Sequence, residues 1–249
     1  MIPKIIHYCW LSNEEVPENL KRYMESWKEK LPEYKFVKWD FNRFDKKKST
    51  WVSQAFDNKK YAFAADYIRL YAVYNMGGIY LDMDVEVLKS FNDLLNNKYM
   101  MAYESEVFPH IEAGCFGAEK NAPFIKKTLD YYKDRNFVME DGSFDTTPLP
   151  QVMRKVLDES EIKIDFMDWH TFTNKSLETG IEQPISRSYA IHHFAGSFKT
   201  ETEKKEIELH QNFIRRYGKL GEILFKCIEY IPHPKKLVKK IREKMKEGR

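Results

Sequence analysis

The sequence is poor in cysteine and has no long apolar run. Its three cysteines, Cys9, Cys115 and Cys227, are too widely spaced for a zinc motif, and their odd number provides no disulfide framework. We therefore expect a reducing compartment. No segment approaches the roughly 20 apolar residues that cross a bilayer. The opening residues MIPKIIHYCW lack the basic and apolar regions of a signal peptide. These absences predict a cytoplasmic protein without a membrane-spanning helix.

Glycine-rich loops for phosphate binding are also missing. The chain contains 10 glycines, but they form neither a GxGxxG pattern nor a P-loop. A glycine-rich turn is therefore not available to hold the phosphate groups of a ligand. A metal ion would have to take that role.

Positive charge is concentrated near the carboxyl terminus. Residues 212–249 hold 12 of the 41 Lys and Arg residues and 4 of the 38 Asp and Glu residues, so their net charge is +8 and that of the remainder is −5. An acidic body argues against a nucleic-acid partner. We expect one main domain over residues 1–211 and a basic helical appendage over residues 212–249. The appendage is typical either of a peripheral segment on the inner face of the cell membrane or of a solvated helix packed on the domain.

The flanking sequence alternates strand and helix patterns, which predicts an α/β fold. The predicted strands are Lys4–Trp10, Tyr34–Trp39, Tyr99–Glu104 and Ile111–Ala118. The predicted helices are Val16–Lys30 and Pro123–Lys133. Residues 42–58 are expected to form a loop with short helical pieces, and residues 141–150 a loop of turn-forming residues.

The stretch from Ala62 to Val87 combines two periodicities that meet at a pair of glycines. Its first half has apolar residues at helical spacing, namely Phe63, Tyr67, Leu70 and Tyr74. The glycine pair at residues 77–78 is typical of a helix end followed by a sharp turn. From Ile79 to Val87 apolar and polar residues alternate as in a strand, which places Asp82 and Asp84 on one face.

The two aspartates predict a metal site. Neighbouring carboxylates repel each other unless a cation, a proton or solvent reduces the cost. Their hard oxygen ligands suit Mg²⁺ or Mn²⁺, which bind through one or two carboxylates together with substrate phosphates. Asp-x-Asp alone also occurs in solvated turns. The flanking helix, glycine pair and apolar strand favour the metal site.

A group of residues in this stretch resembles the signature of the DXD-containing sugar transferases, in particular glycosyltransferase family 32: Asp66, Arg69, Gly77, Gly78, Tyr80, Asp82 and Asp84. That family includes yeast-type initiating mannosyltransferases and bacterial capsular polysaccharide transferases, and the catalytic domains of the clostridial glucosylating toxins are similar. The resemblance covers roughly residues 1 to 200. It implies that residues 1–211 are a catalytic domain of the GT-A type, a Rossmann-like nucleotide-binding mixed sheet flanked by helices.

The resemblance also implies a reaction. A sugar moves from a UDP- or GDP-linked donor to a polysaccharide or lipid-linked glycan, with retention of the anomeric configuration and with Mn²⁺ or Mg²⁺ as cofactor. Asp82, Asp84 and Arg69 are the implied catalytic residues, and Asp82 also contacts the donor. Asp66 and Arg69 hold donor hydroxyls, as their counterparts do in relatives. An intrahelical ion pair is the alternative interpretation of these two residues.

A third metal ligand is expected from two adjacent histidines. His192 and His193 follow an apolar run and point to opposite sides of a strand, so only one of them faces a metal shared with the aspartates. We select His193, because HFAG resembles the His-x-x-Gly element whose histidine binds the metal in several retaining transferases. The alternative is a pair of partly buried structural histidines.

Four further residues are candidates for donor or acceptor binding. Trp10 ends the first strand, where an indole can stack on a base, as a tryptophan does in the toxin-like relatives; core packing is the alternative. Lys199 is assigned to the donor diphosphate, with a plain surface lysine as the alternative. Glu112 replaces an asparagine of many relatives and is an acceptor-side candidate, the alternative being an exposed strand carboxylate. Asp145, in the loop of turn-forming residues, is the other acceptor-side candidate.

Two other function classes remain open. A metal-dependent nucleotidyltransferase uses paired aspartates on a similar sheet and releases pyrophosphate instead of a nucleoside diphosphate. A non-catalytic glycan-binding or scaffold protein of the same fold would bind donor without needing a metal. The absence of a glycine-rich basic loop argues against the former, and the two aspartates with His193 argue against the latter.

Overall fold

The computed structural model describes residues 1–105, 110–174, 185–194 and 201–218. The strands are β1 (Ile5–Cys9), β2 (Lys35–Trp39), β3 (Gly78–Leu81), β4 (Val85–Val87), β5 (Tyr99–Met100), β6 (Cys115–Ala118) and β7 (Ala190–His192). The α-helices are α1 (Glu18–Lys30), α2 (Thr50–Asp57), α3 (Tyr61–Met76), α4 (Pro123–Tyr131), α5 (Leu149–Asp158) and α6 (Glu201–Tyr217). Lys199 and most of the basic appendage, residues 219–249, lie outside the described residues.

Five of the strands form one mixed sheet in the order β2-β1-β3-β6-β5. Strands β2, β1 and β3 are parallel, whereas β6 is antiparallel to β3 and β5 is antiparallel to β6. The carboxyl ends of the three parallel strands therefore lie at the same edge as the amino end of β6. Ligands of open α/β sheets collect at this edge.

Side chains of β3 alternate between two hydrophobic cores, as its period-two pattern predicts. Tyr80 packs in a core that includes α2, α3, α4 and α5, whereas Ile79 and Leu81 pack in a second core that includes α1. All four residues of β3 are buried. The predicted α/β class, a mixed sheet flanked by helices, is confirmed.

The helix-to-strand turn requires both glycines. Helix α3 ends at Met76 and is capped by Gly77, whose φ is 66°, and Gly78 follows with a φ of 108°. A Cβ atom on Gly78 would lie 2.7 Å from the carbonyl oxygen of Ile5. Any larger residue at position 78 would therefore be strained in its backbone and would push β1 away from β3.

The buried side chain of His7, in β1, forms a hydrogen bond to this turn. Its Nε2 donates to the carbonyl oxygen of Gly77 at 2.8 Å, and its Nδ1 accepts from Nε1 of Trp39 at 3.0 Å. The neutral imidazole thus satisfies both ring nitrogens while it is fully buried. A structural role for His7 follows from these contacts.

Stability is expected to depend on the charge state of His7. Burial, followed by a smaller effect of Arg43, lowers the pKa of His7 from 6.5 to about 4, against the opposing hydrogen bond to Gly77. The unfolded chain takes up this proton near pH 6.5 and the folded protein only near pH 4, so the free energy of unfolding falls as pH is lowered through this window. The loss should reach about 3 kcal/mol at pH 4.

Urea unfolding of the wild type and of the His7→Gln variant between pH 7 and pH 4 tests this expectation. Glutamine does not titrate, so the stability advantage of the wild type should shrink by about 3 kcal/mol as pH falls. The other titrating groups are the same in both proteins, so their contributions cancel in the difference between the two free energies of unfolding. A difference between the two proteins that does not change with pH would contradict the prediction.

The chain leaves the main sheet at the two aspartates, which differs from the single strand predicted over residues 79–87. The amide of Val85 donates to the carbonyl oxygen of Asp82 at 3.0 Å, and this turn separates β3 from β4. Strand β4 then pairs with β7 in a separate two-stranded sheet. Alternation of side chains predicts strand conformation but not the partner strand, so the break was not visible in the sequence.

Residues 42–58 form a loop with short helical pieces, as the sequence predicts. They contain a short 3₁₀ helix, Lys46–Lys48, and the two-turn helix α2. Ser49 caps α2 by accepting a hydrogen bond from the amide of Val52 at 3.3 Å. Trp51 and Val52 are fully buried in the core beside α3.

The chain divides into two compact units. One comprises Met1–Ser176 and Ile181–Phe198, and the other comprises Leu177–Gly180 and Lys199–Arg249. The described part of the second unit is helix α6, and the expected boundary between residues 211 and 212 falls inside this helix. Among the described residues, no helix is long and apolar enough to cross a membrane.

Candidate metal and donor site

Three side chains that suit a metal converge where the parallel strands end. Asp82 follows β3, Asp84 precedes β4, and His192 is the last residue of β7. One ligand atom from each lies within 4.8 Å of the others. The β4–β7 pairing aligns Val85 with His192, and this register brings the histidine to aspartates more than 100 positions earlier in the chain.

Arg69 of α3 connects this cluster to the core. Its NH1 donates to Asp82 Oδ2 at 3.1 Å and to the carbonyl oxygen of Ala113 at 2.8 Å. Its NH2 lies 3.2 Å from Asp66 Oδ1, and its guanidinium lies 4.6 Å from the centre of the Tyr80 ring. One buried cation therefore bridges two carboxylates and also stacks on an aromatic face.

Two carboxyl groups of the site, those of Asp66 and Asp82, have raised pKa values. Burial raises the pKa of Asp66 to about 7, with Arg69 opposing the shift and Asp82 adding to it. Burial also raises the pKa of Asp82, against the charge of Arg69. Oδ1 of Asp82 accepts a hydrogen bond from the Tyr80 hydroxyl at 2.9 Å. Each oxygen of Asp82 has one partner and retains a lone pair for another.

His192 lies between two carboxylates. Its Nδ1 is 3.0 Å from Oε1 of Glu112, and its Nε2 is 3.4 Å from Oδ1 of Asp84. Burial acts to lower the pKa of His192, but the carboxylates of Glu112 and Asp84 outweigh it and raise the pKa well above its usual value. The ring also stacks on Phe194, with centroids 4.0 Å apart.

The structure brings His192, and not the predicted His193, to the aspartates. The Nε2 atom of His193 lies 2.9 Å from Oε2 of Glu86, and its ring stacks on Tyr23 with centroids 4.3 Å apart. The prediction that the two histidines point to opposite sides of a strand holds, but the choice between them is corrected. The His-x-x-Gly resemblance could not decide it, because only the pairing of β7 with β4 determines which side faces Asp84.

The acceptor-side candidates are both engaged in contacts within the protein. Glu112 has no exposed surface and lies behind the cluster, in contact with His192, so it is not the exposed strand carboxylate of the alternative interpretation, and it has no surface open to an acceptor. Asp145 pairs with Arg135 at 3.2 Å and accepts from the Thr147 hydroxyl at 2.7 Å. Its side chain is 11% exposed, and a role in acceptor binding stays a prediction.

Trp10 lies immediately after β1, at the same edge of the sheet as Asp82. It is partly buried against the core that contains α1, and its Nε1 donates to the carbonyl oxygen of Glu14 at 2.8 Å. Its position at the strand end agrees with the sequence expectation, and stacking on a base stays a prediction. Lys199 lies outside the described residues.

The cluster fits a divalent metal by the chemistry of its donors. Two carboxylate oxygens and one imidazole nitrogen form a hard, mixed donor set that suits Mn²⁺ or Mg²⁺. Asp82 and Asp84 are 27% and 16% exposed, so solvent and phosphate oxygens can reach the same position. Because Nδ1 of His192 pairs with Glu112, Nε2 faces Asp84, and it is the nitrogen that would bind a metal there.

Residues 17–101 match the family described as the glycosyltransferase sugar-binding region containing a DXD motif. Inositol phosphoceramide mannosyltransferase 3 of Schizosaccharomyces pombe is 32% identical over 133 residues, which cover 51% of this chain and 36% of that protein. An uncharacterized glycosyltransferase of Acanthamoeba polyphaga mimivirus is 30% identical over 156 residues, or 59% and 60% of the two chains. The solved PaToxG glycosyltransferase superposes with a TM-score of 0.48 and 23% identity over 64% of this chain and 69% of that one. The matches thus span about a third of the fission-yeast protein and 60% of the viral protein.

Proposed function

We propose that this chain, which carries the DXD-containing sugar-binding region of glycosyltransferases over residues 17–101, is a metal-dependent retaining glycosyltransferase that uses a UDP- or GDP-linked sugar. The observation that carries the proposal is the convergence of Asp82, Asp84 and His192 within 4.8 Å, beside a buried Arg69. A binding module has no need to place two repelling carboxylates and a histidine at one point.

In this proposal Asp84 and His192, with Asp82, hold Mn²⁺ or Mg²⁺. When bound, the ion supplies positive charge to the donor diphosphate, on which negative charge develops as the bond to the anomeric carbon breaks. Asp82 is kept in place by Arg69 and by the Tyr80 hydroxyl, so the protein does not have to reorganise this carboxylate when the donor arrives.

Asp66 and Arg69 are proposed to bind hydroxyl groups of the donor sugar. The pKa of Asp66 is raised to about 7, so both its protonated and its ionised forms are populated at neutral pH. The protonated form can donate a hydrogen bond to a sugar hydroxyl, and the ionised form can accept one. Trp10 at the edge of the sheet is proposed to stack on the base, and Lys199 to approach the diphosphate. Retention of configuration follows the family resemblance and is checked by NMR of the anomeric proton of the product.

A polysaccharide or a lipid-linked glycan is the proposed acceptor, used in the cytoplasm, for example in capsular polysaccharide synthesis. The name of the fission-yeast relative contains a lipid, inositol phosphoceramide, which supports the lipid-linked class. The basic residues 212–249, with a net charge of +8, support peripheral contact with an anionic membrane surface. Co-sedimentation of the chain with anionic vesicles, at low and high salt, tests that contact.

The donor is tested by incubating the protein with a panel of UDP- and GDP-sugars, GDP-mannose included, with and without Mn²⁺. Release of nucleoside diphosphate from one donor, only in the presence of metal, is the expected result. Pyrophosphate release from a nucleoside triphosphate would support the nucleotidyltransferase instead. Donor binding that ignores metal, without turnover, would support the non-catalytic alternative.

A further inference from the structure

Glu112 is a fully buried carboxylate that the proposed reaction does not use directly. Its Oε1 accepts from the amide of Gly114 at 2.5 Å, and its Oε2 accepts from the Thr173 hydroxyl at 2.9 Å. The remaining partner is Nδ1 of His192 at 3.0 Å. Burial acts to raise the pKa of Glu112, but His192 and these hydrogen bonds outweigh it and keep the pKa below its usual value.

We propose that Glu112 is a positioning residue, which holds the imidazole of His192 by Nδ1 and thereby directs Nε2 to the metal position beside Asp84. The opposite nitrogen of the ring already lies 3.4 Å from Asp84 Oδ1. A carboxylate on the distal nitrogen fixes the tautomer of a ligating histidine and makes it a better ligand. This inference rests on the proposed metal-dependent function.

Gly114 completes the arrangement because it leaves room for the histidine ring. A Cβ atom at position 114 would lie 2.5 Å from Cε1 of His192 and 2.9 Å from Oε1 of Glu112. The φ of Gly114 is not in the positive range. Alanine at this position would therefore push against the side chains of the histidine and the glutamate without straining its own backbone, so the segment before β6 approaches the pair this closely only with glycine.

The neighbouring histidine provides an internal control. His193 also pairs with a glutamate, Glu86, at 2.9 Å. This pair lies on the other side of the end of β7, and the ring of His193 stacks on Tyr23. Glu86 is partly exposed, whereas Glu112 is not. Loss of the carboxylate from Glu86 removes a similar His–Glu contact without touching the ring that faces Asp84.

The test is the affinity of the purified chain for Mn²⁺ in the absence of donor. Electron paramagnetic resonance measures the concentration of Mn²⁺ that remains unbound. Glu112→Ala should weaken binding by about 10- to 100-fold. Glu112→Gln, which keeps an acceptor oxygen toward Nδ1 but loses the charge, should recover part of this loss. Glu86→Ala should leave the affinity unchanged. Gly114→Ala should weaken binding by about 10-fold or more, because it displaces His192.

A double-mutant cycle separates positioning from general damage to the fold. If Glu112 acts through His192, the Glu112 substitutions should have no further effect on Mn²⁺ affinity in a His192→Ala background. Additive losses, or a Glu112→Ala protein that binds within about twofold of the wild type, would overturn the inference. If Glu112→Ala does not fold, the Mn²⁺ affinities of Glu112→Gln and Gly114→Ala replace it, and affinities within about twofold of the wild type for both would overturn the inference. A wild-type chain that binds no Mn²⁺ would overturn both the metal in the proposed function and this role of Glu112.

Discussion

Replacement of Asp84 by alanine is expected to lower metal-dependent release of nucleoside diphosphate by about 1,000-fold or more, with the fold intact. Loss of a metal ligand removes several kcal/mol of charge stabilisation, and each 1.4 kcal/mol corresponds to about tenfold in rate. The carbonyl oxygen of Asp84 accepts from the amide of His193 at 3.0 Å, and this backbone contact survives the substitution. The rate with the best donor, at saturating Mn²⁺, is the measurement.

Stability measurements separate this effect from unfolding. After burial, the charge of Asp84 contributes to the raised pKa of Asp82, so the two carboxylates repel each other without metal. Asp84 also lies 3.4 Å from Nε2 of His192, and loss of this contact offsets the relief of that repulsion. The metal-free melting temperature of Asp84→Ala should therefore stay close to that of the wild type. Glu86→Ala, two residues further along, is the matched control and should retain its turnover. Normal manganese-dependent turnover by Asp84→Ala would contradict the assignment of this residue.

Substitution of Arg69 by methionine is expected to lower the free energy of unfolding by about 3–5 kcal/mol, which is a large fraction of the stability of a domain. Arg69 is 6% exposed and bridges Asp66 and Asp82, so its removal leaves Asp66 without its counter-charge and takes one of the nearby cations from Asp82. Methionine keeps much of the side-chain volume, so the loss reflects charge and hydrogen bonds more than a cavity. Chemical denaturation at pH 8, above the pKa of about 7 that Asp66 has in the wild type, is the measurement.

Two variants sharpen the interpretation of the arginine result. Asp66→Asn in the Arg69→Met background removes one unpaired charge and should recover part of the stability. Arg154 forms an exposed pair with Asp158 one helical turn away, and Arg154→Ala should cost at most about 1 kcal/mol. Equal losses from Arg69→Met and Arg154→Ala would mean that the buried bridge contributes no more than a surface ion pair.

Local patterns predicted the elements that carry the site. Helix α3 and strand β3 follow from apolar spacing within a few turns, and the glycine pair between them follows from backbone freedom that no other residue has. Asp66 and Arg69 were singled out by their resemblance to the family signature, whereas Asp82 also followed from the alternation of side chains in the strand. The α/β class also followed, since helices alternate with strands along the chain, whereas the mixed sheet was implied only by the family resemblance.

Long-range pairing could not be predicted in the same way. The break between β3 and β4 depends on a partner strand, β7, that lies more than 100 residues later in the chain. The same pairing decides which of two adjacent histidines turns toward Asp84. The burial of Glu112 depends on Thr173 and His192, which are distant in sequence. A single sequence contains no local signal for contacts of this kind.

The sequence by itself thus determined the helix, the glycine turn, the strand and the two aspartates at its end, because each depends on neighbours a few residues away. Only the tertiary structure decided that His192 completes the cluster and that Glu112 lies behind it. The physical reason is that a strand offers two faces with the same local propensity. The face that points inward is chosen by the register with a distant strand and by the side chains already buried there.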